Sequence, residues 1–134
     1  MSKEPQWLRT PAVLAIHQRL LFEFGGAEGV RDQGLLESAL SRPQHLWHYE
    51  RPDMLDLAAA YAFGIINNHA FIDGNKRTAY TAAFVFLSIN GYEMEADEGE
   101  VVVMTVGLAE KSIRQEQYAA WLRDHCGHGH GSGK

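Results

Sequence analysis

Residues 54–89 of the chain read MLDLAAAYAFGIINNHAFIDGNKRTAYTAAFVFLSI. Two long apolar runs, at 54–66 and 79–89, flank a short polar segment. A helix that is hydrophobic on nearly every side belongs in the centre of a bundle, because none of its faces suits water. Residues 84–89 alone could form a strand, but the uninterrupted stretch from Asn75 is too long for a typical one. The sequence therefore predicts two buried central helices.

Shorter amphipathic segments precede this pair. Thr10 is a suitable helix N-cap, and Pro11 suits the first helical position because no N–H is needed there. Asp32 is the predicted N-cap of a second helix. We expect this helix to stop near Arg42, because Pro43 follows and disfavours a helical residue before it.

The next stretch, residues 44–52, is rich in aromatic rings and is predicted to be an irregular connector. A surface loop of this composition is suited to holding a partner, and Trp47 and Tyr49 are the candidate contacts. The alternative is that both rings simply cover one end of the core.

Two further helices are expected after the central pair. Asp97 is the predicted start of one, and Ser112 with Gln115 resembles a capping box for the last. We therefore predict an all-α fold of about six helices around two buried central ones. Residues 1–126 would form one domain, followed by a flexible Gly/His-rich tail at 127–134.

Composition excludes several classes of function. A net charge of −5 and a pI of about 5.8 argue against broad nucleic-acid binding, which needs a basic surface. Cys126 is the single cysteine and has no internal partner for a disulfide. No apolar stretch reaches the roughly 18 residues of a spanning helix, and residues 1–5 lack the apolar core of a secretory signal. We expect a cytoplasmic protein without a membrane role.

The polar segment between the central helices could be only a tight turn. Gly74 would then supply an unusual backbone angle, Asn75 would cap the next helix, and Phe71 would enter the core. This interpretation leaves Lys76 and Arg77 unexplained, because cations in the first turn of a helix oppose the positive end of its dipole.

A bound anion would remove that conflict. Free N–H groups at a helix start, a nearby glycine and the side chains of Lys76 and Arg77 together predict a phosphate site. Asp73 is placed to hold a divalent metal that bridges phosphates. His69 is the only nearby group that titrates close to neutrality, so it is the candidate general base.

Residues 69–77 resemble the Fic motif, which runs histidine, any, phenylalanine, any, acid, glycine, asparagine, glycine, arginine, two of any residue, and arginine. Lys76 replaces the second glycine, and Tyr80 stands at the final arginine. Both departures resemble the death-on-curing (Doc) branch of the family, whose usual run of asparagine, lysine, arginine, threonine and alanine matches residues 75–79. The resemblance extends upstream to residues 29–40 and downstream to the last helix.

This resemblance implies an all-α Fic/Doc bundle that transfers part of ATP to a protein hydroxyl with the help of Mg²⁺. His69 would activate the hydroxyl, Asp73 would bind Mg²⁺, and the phosphates would be held by Gly74, Asn75, Lys76 and Arg77. The Doc branch transfers the terminal phosphate to a threonine of elongation factor Tu, and a small antitoxin inhibits it. AMP transfer, typical of Fic proteins with the second glycine, and a non-catalytic binding module remain the alternatives.

Residues 112–117 come near the signature of the inhibitory helix that some Fic proteins carry. Gln117 breaks that signature, and a capping box explains the same residues with local physics. Tyr80 also removes the arginine that an internal inhibitory glutamate would contact. We therefore expect inhibition by a separate protein.

Overall fold

A computed structural model describes residues 3–128, and within them the chain is almost entirely helical. The six helices are α1 (Thr10–Phe24), α2 (Gln33–Tyr49), α3 (Met54–Asn68), α4 (Asn75–Ile89), α5 (Glu98–Ala109) and α6 (Gln115–Asp124). Two three-residue strands, β1 (Tyr92–Met94) and β2 (Cys126–His128), pair antiparallel. The all-α prediction is confirmed. Among these helices, none is both long and apolar enough to cross a membrane.

The two central helices are α3 and α4, as predicted. The middle of α3 is buried on every side, and the rings of Tyr61 and Phe86 meet in the core at 4.9 Å between centroids. Gly64 allows α2 to approach α3 closely, since a Cβ there would lie 3.0 Å from the Ala39 carbonyl oxygen. The apolar runs of the sequence thus become the shared core against which the other helices pack.

Acidic N-caps begin three of the helices, and two of them, Asp32 and Asp97, are predicted from the sequence. Asp32 accepts a hydrogen bond from the backbone N–H of Leu35, and Asp97 from that of Glu100. Asp53 and Asp56 form a reciprocal capping box at the start of α3. The prediction that Thr10 is an N-cap is wrong by one residue, because α1 already includes Thr10.

The predicted end of α2 near Arg42 is wrong, and so is the connector at 44–52. The helix continues through Pro43 to Tyr49. A proline inside a helix costs about 3 kcal/mol. Packing around and beyond the proline offsets this cost, because Pro43 is itself buried and Leu46 and Trp47 pack against the core. The Arg42 guanidinium lies over the Phe63 ring of α3 at 4.6 Å.

The predicted capping box of Ser112 and Gln115 is also wrong. The α6 helix begins after Arg114, whose backbone N–H donates to the Gln117 side chain at 2.8 Å. The Ser112 hydroxyl instead donates to a carbonyl of α5. Gln115 accepts two hydrogen bonds from Arg42, so a tertiary contact with α2 takes the side chain that the sequence assigned to a local cap.

The end of α6 leads into β2, and this changes the predicted start of the tail. Residues 127 and 128 pair with β1, and the Glu95 N–H donates to the His125 carbonyl at 2.7 Å. The rest of the predicted flexible tail, residues 129–134, lies outside the described residues.

Candidate active site at the α3–α4 loop

The loop between α3 and α4 lies along a cavity of about 730 Å³. All six residues predicted to carry the chemistry line it: His69, Asp73, Gly74, Asn75, Lys76 and Arg77. The opposite wall comes from α5, including Val102 and Thr105. The volume falls within the range of pockets that hold small-molecule ligands. The predicted residues are therefore gathered at one site of suitable size.

Asn75 braces the loop instead of capping a helix. Its side-chain amide donates to the Phe71 carbonyl at 2.9 Å, and its Oδ1 accepts from the Phe71 N–H at 3.1 Å. Asn75 is 7% exposed, and Phe71 is fully buried as predicted. The helix N-cap is Gly74, in the left-handed conformation at φ 79°, so the cap role that the tight-turn interpretation gave to Asn75 is wrong. What Asn75 can still offer a phosphate is its backbone N–H.

His17 of α1 also fixes the loop, and the sequence did not single it out. Its Nε2 donates to the Asp73 carbonyl at 2.8 Å, because a carbonyl oxygen can only accept. Its ring stacks on Phe71 at 3.8 Å between centroids, and only 5% of the residue is exposed. The one hint of this role in the sequence is a histidine among the apolar positions of an amphipathic helix. A histidine in that setting is more often a core residue whose hydrogen bonds are satisfied than part of a functional site.

Arg31 holds the backbone that carries His69. Its Nε donates to the His69 carbonyl at 2.8 Å and an Nη to the Asn68 carbonyl at 3.1 Å, so a cation lies at the negative end of α3. His69 adopts the left-handed conformation with φ 49° and is exposed at the cavity. No local pattern predicts a contact between residues so far apart in sequence.

The Asp73 carboxylate is exposed and is held by backbone groups. It accepts from the N–H of Ala27 at 3.1 Å and from that of Gly74 at 2.9 Å. These hydrogen bonds lower its pKa below the ordinary range, so it is ionised at neutral pH. Gly26 leaves room for it, since a Cβ at Gly26 would lie 2.9 Å from Asp73 Oδ2.

This carboxylate suits a magnesium ion bound together with phosphates. In residues 3–128, no three or more histidine, cysteine or acidic side chains gather as a metal cluster. Mg²⁺ in nucleotide sites is usually held by one or two carboxylates, water and the phosphates themselves, so Asp73 alone meets the requirement.

Lys76 and Arg77 are exposed in the first turn of α4, and neither forms an ion pair within the described part of the chain. The Arg77 guanidinium lies 4.2 Å from the ring centroid of Phe24. The first turn of α4 contains no acid. Two cations and the free N–H groups of a helix start therefore face the cavity together, an arrangement that favours bound phosphate.

The two predicted partner-binding residues lie elsewhere. Trp47 is half-buried at the end of α2 and meets the Trp7 ring edge-on at 6.4 Å. Tyr49, the last residue of α2, is 84% exposed. Neither lines the cavity at the α3–α4 loop. Residues 113–116 line a separate cavity of about 570 Å³ between α2, α3 and α6.

Comparison with known proteins agrees with the resemblance. Residues 7–87 match the model of the Fic/DOC family. The chain is 49% identical over 76 residues to "Toxin Doc" of Mycolicibacterium smegmatis, a match covering 55% of this chain and 58% of that protein. It is 34% identical over 112 residues to "Protein kinase doc" of Escherichia phage P1, covering 83% of this chain and 88% of the relative. The chain therefore belongs to the Fic/DOC family and is of the Doc type, as its motif predicts.

Proposed function

We propose that this protein is a nucleotide-dependent transferase that moves the terminal phosphate of ATP to a hydroxyl of a protein target. One observation carries the proposal: His69, Asp73 and the two cations of the α4 start line a single cavity. The relative from phage P1 is named a protein kinase, which supports phosphate transfer over AMP transfer. Lys76 supports it too, because its side chain occupies space that a glycine would leave open to the inner phosphates.

In this mechanism the α4 start holds the nucleotide. Its free N–H groups, Lys76 and Arg77 neutralise the phosphates and orient the terminal one. The His69 imidazole takes the proton from the target hydroxyl, whose oxygen attacks the terminal phosphorus. The bond from that phosphorus to the bridging oxygen breaks, and ADP leaves. Mg²⁺ at Asp73 would supply further positive charge to the phosphates.

Labelled ATP tests the reaction type. The purified protein would be incubated with bacterial extract and Mg²⁺, with ATP labelled in separate reactions at the α or the γ phosphate. We expect γ label on a protein band and ADP as the product. Transfer of the α label would identify AMP transfer instead. Nucleotide binding or target capture without transfer of either label would favour a binding module.

We further propose a threonine of elongation factor Tu as the target, on the strength of the Doc-type motif. Such a target places the action of the protein in the cytoplasm. Purified elongation factor Tu should then accept the γ phosphate, and peptide mass spectrometry should locate it on one threonine. Label on another protein of the extract, with elongation factor Tu unmodified, would contradict this choice.

Inhibition by a small antitoxin is the remaining part of the proposal. An antitoxin segment that folds on binding would lay an amphipathic helix on the surface around Trp47 and Tyr49 at the end of α2. Expression of the wild-type chain alone should arrest growth, and co-expression of the neighbouring small open reading frame should restore it. Tyr49→Ala tests the anchor more cleanly than Trp47→Ala, because Tyr49 is exposed whereas Trp47 packs on Trp7. Full rescue of both variants would exclude these two rings as anchors.

A further inference from the structure

We infer that Phe24 is a positioning residue that holds Arg77 in place for phosphate binding, an inference that rests on the proposed function. Phe24 is the last residue of α1, and its ring lines the same cavity as Arg77. The Arg77 guanidinium carbon lies 4.2 Å from the ring centroid. This distance is that of a cation–π contact.

The core does not account for an aromatic residue at this position. Within residues 3–128, Phe24 is not among the side chains that form or contact the apolar core, and it is 57% exposed. Its ring makes a cation–π contact with Arg77. The Phe24 ring therefore contacts a candidate phosphate-binding side chain and is not part of the buried core.

The contact with the ring leaves the arginine free to bind an anion. The guanidinium group carries five N–H donors in a planar fork, and Arg77 forms no ion pair in the described part of the chain. The donors of Arg77 thus remain available to phosphate oxygens while the side chain is held still. An arginine ordered before the ligand arrives loses less conformational freedom on binding. The negative face of the ring also offsets the repulsion of Arg77 by the positive end of α4.

The ring is itself fixed relative to the loop. The Gly25 N–H donates to the Leu21 carbonyl at 2.7 Å and ends α1, and two residues later the Ala27 N–H donates to Asp73. His17 of the same helix holds the Asp73 carbonyl. The chain on both sides of Phe24 is therefore tied to the loop that precedes Arg77, so the ring can set the position of the guanidinium.

Binding measurements on the full chain test this role. Calorimetry would compare ATP with tripolyphosphate, which has no base. Phe24→Leu should weaken the binding of both ligands about two- to five-fold, the effect of an exposed cation–π contact. Phe24→Tyr should retain wild-type affinity. Phe22→Leu is the matched control, because Phe22 lies on the same helix, is 89% exposed and, in the described part of the chain, does not line the cavity.

A double-mutant cycle separates the ring's effect on Arg77 from other effects. In an Arg77→Gln background, Phe24→Leu should cause no further loss. Unchanged or tighter binding by Phe24→Leu would overturn the inference. An equal loss of affinity in the Arg77→Gln background would also overturn it. So would a loss of affinity for ATP but not for tripolyphosphate, because the ring would then contact the adenine base of ATP. If the wild-type protein transfers the γ phosphate although the role of Phe24 fails, the proposed function stands. A wild-type protein that binds neither ATP nor tripolyphosphate overturns both the role of Phe24 and the proposed function.

Discussion

The two central helices have equal length but begin in opposite ways. At the start of α3, Asp53 and Asp56 satisfy backbone N–H groups through a capping box. At the start of α4, Gly74 offers no side-chain cap, and the first turn carries Lys76 and Arg77 in place of acids. Every helix start has about four N–H groups without intrahelical partners. At α3 the chain satisfies two of these groups, the N–H groups of Asp53 and Asp56, through side chains. At α4 the Gly74 N–H donates to Asp73, and no side chain caps the helix, so the N–H groups of the first turn stay open to a ligand.

The charges around the two starts follow the same division. Arg123 of α6 donates to Asp53 at 2.9 and 3.0 Å and to Asp56 at 3.1 Å. Burial alone would raise the pKa of Asp53, but the hydrogen bonds from Arg123 and from the Asp56 N–H lower it below the ordinary value. The α3 start is therefore a closed network that stabilises the fold, and the α4 start is an open one.

The largest expected effect lies on the open side. His69→Ala should reduce phosphate transfer by about 10²–10⁴, the usual contribution of a general base, in a chain that still folds. Single-turnover transfer of γ label and thermal unfolding measure the two parts.

The backbone of His69 requires a matched variant. His69 lies at φ 49°, a conformation that asparagine tolerates better than alanine does. His69→Asn should therefore keep the wild-type melting temperature and lose activity as His69→Ala does. A well-folded His69→Asn with full activity would remove the general base from the mechanism.

The next effect concerns the metal. Asp73→Ala should weaken Mg²⁺ binding in the presence of nucleotide by about 10- to 100-fold. Loss of a residue that only hydrogen-bonds to a metal ligand already has an effect of this size. Asp73 also binds the Ala27 N–H, so Asp73→Asn is the control that keeps an acceptor there. A Mg²⁺ titration with ADP measures both. Normal metal titration in Asp73→Asn would show that the charge of Asp73 is not needed.

On the closed side, the expected effect is on stability. Asp53→Ala removes a cap and two contacts with Arg123, and it should lower the free energy of unfolding by about 1–2 kcal/mol. Nucleotide binding per folded molecule should not change. Asp53→Asn keeps the cap and removes only the charge, so its loss should be smaller. Urea titrations compare the three proteins, and equal stability of all three would show that the closed network does not support the fold.

The pH dependence of this loss has a definite sign. The pKa of Asp53 is lowered in the folded chain from its ordinary value of 3.8. Its charge therefore contributes stability above that value, and the contribution is lost as the pH falls through the lower native pKa. The difference between wild type and Asp53→Asn should be full at neutral pH and shrink below about pH 4. A difference that grows in acid would contradict the sign of the shift.

The sequence predicted features that depend on neighbouring residues. The caps at Asp32 and Asp97 and the buried runs of α3 and α4 are local patterns, and all are confirmed. Pro43 shows where local rules fail, because α2 continues past it with Pro43 buried and Leu46 and Trp47 packed against the core.

The candidate site divides in the same way. Its motif residues are nearly contiguous in sequence, so they could be picked from one segment, whereas the α5 residues that line the same cavity could not. The residues that brace it, His17 and Arg31, come from distant segments and act through main-chain carbonyls. Asn75 does not cap α4 as the tight-turn interpretation expected, because its amide bonds to the Phe71 backbone across the turn. No periodicity reveals such contacts.

The smallest expected effect is a gain in the free energy of unfolding, opposite in sign to the loss expected for Asp53→Ala. A lysine in the first turn of a helix opposes the dipole, and Lys76 forms no ion pair in the part of the chain that the structure describes. Lys76→Gln should therefore raise the free energy of unfolding by about 0.3 kcal/mol at low salt, and less at high salt because of screening. The same variant should bind tripolyphosphate more weakly.

Lys111→Gln is the control, since Lys111 follows α5 and a cation there lies near the negative end of a helix. It should bring no gain in stability and no loss of tripolyphosphate binding. A stabilised Lys76→Gln that binds the anion poorly would mean that the fold gives up stability at α4 to hold a ligand. A destabilised Lys76→Gln would mean that Lys76 serves the fold, and the contrast between the two helix starts would then rest on Arg77 alone.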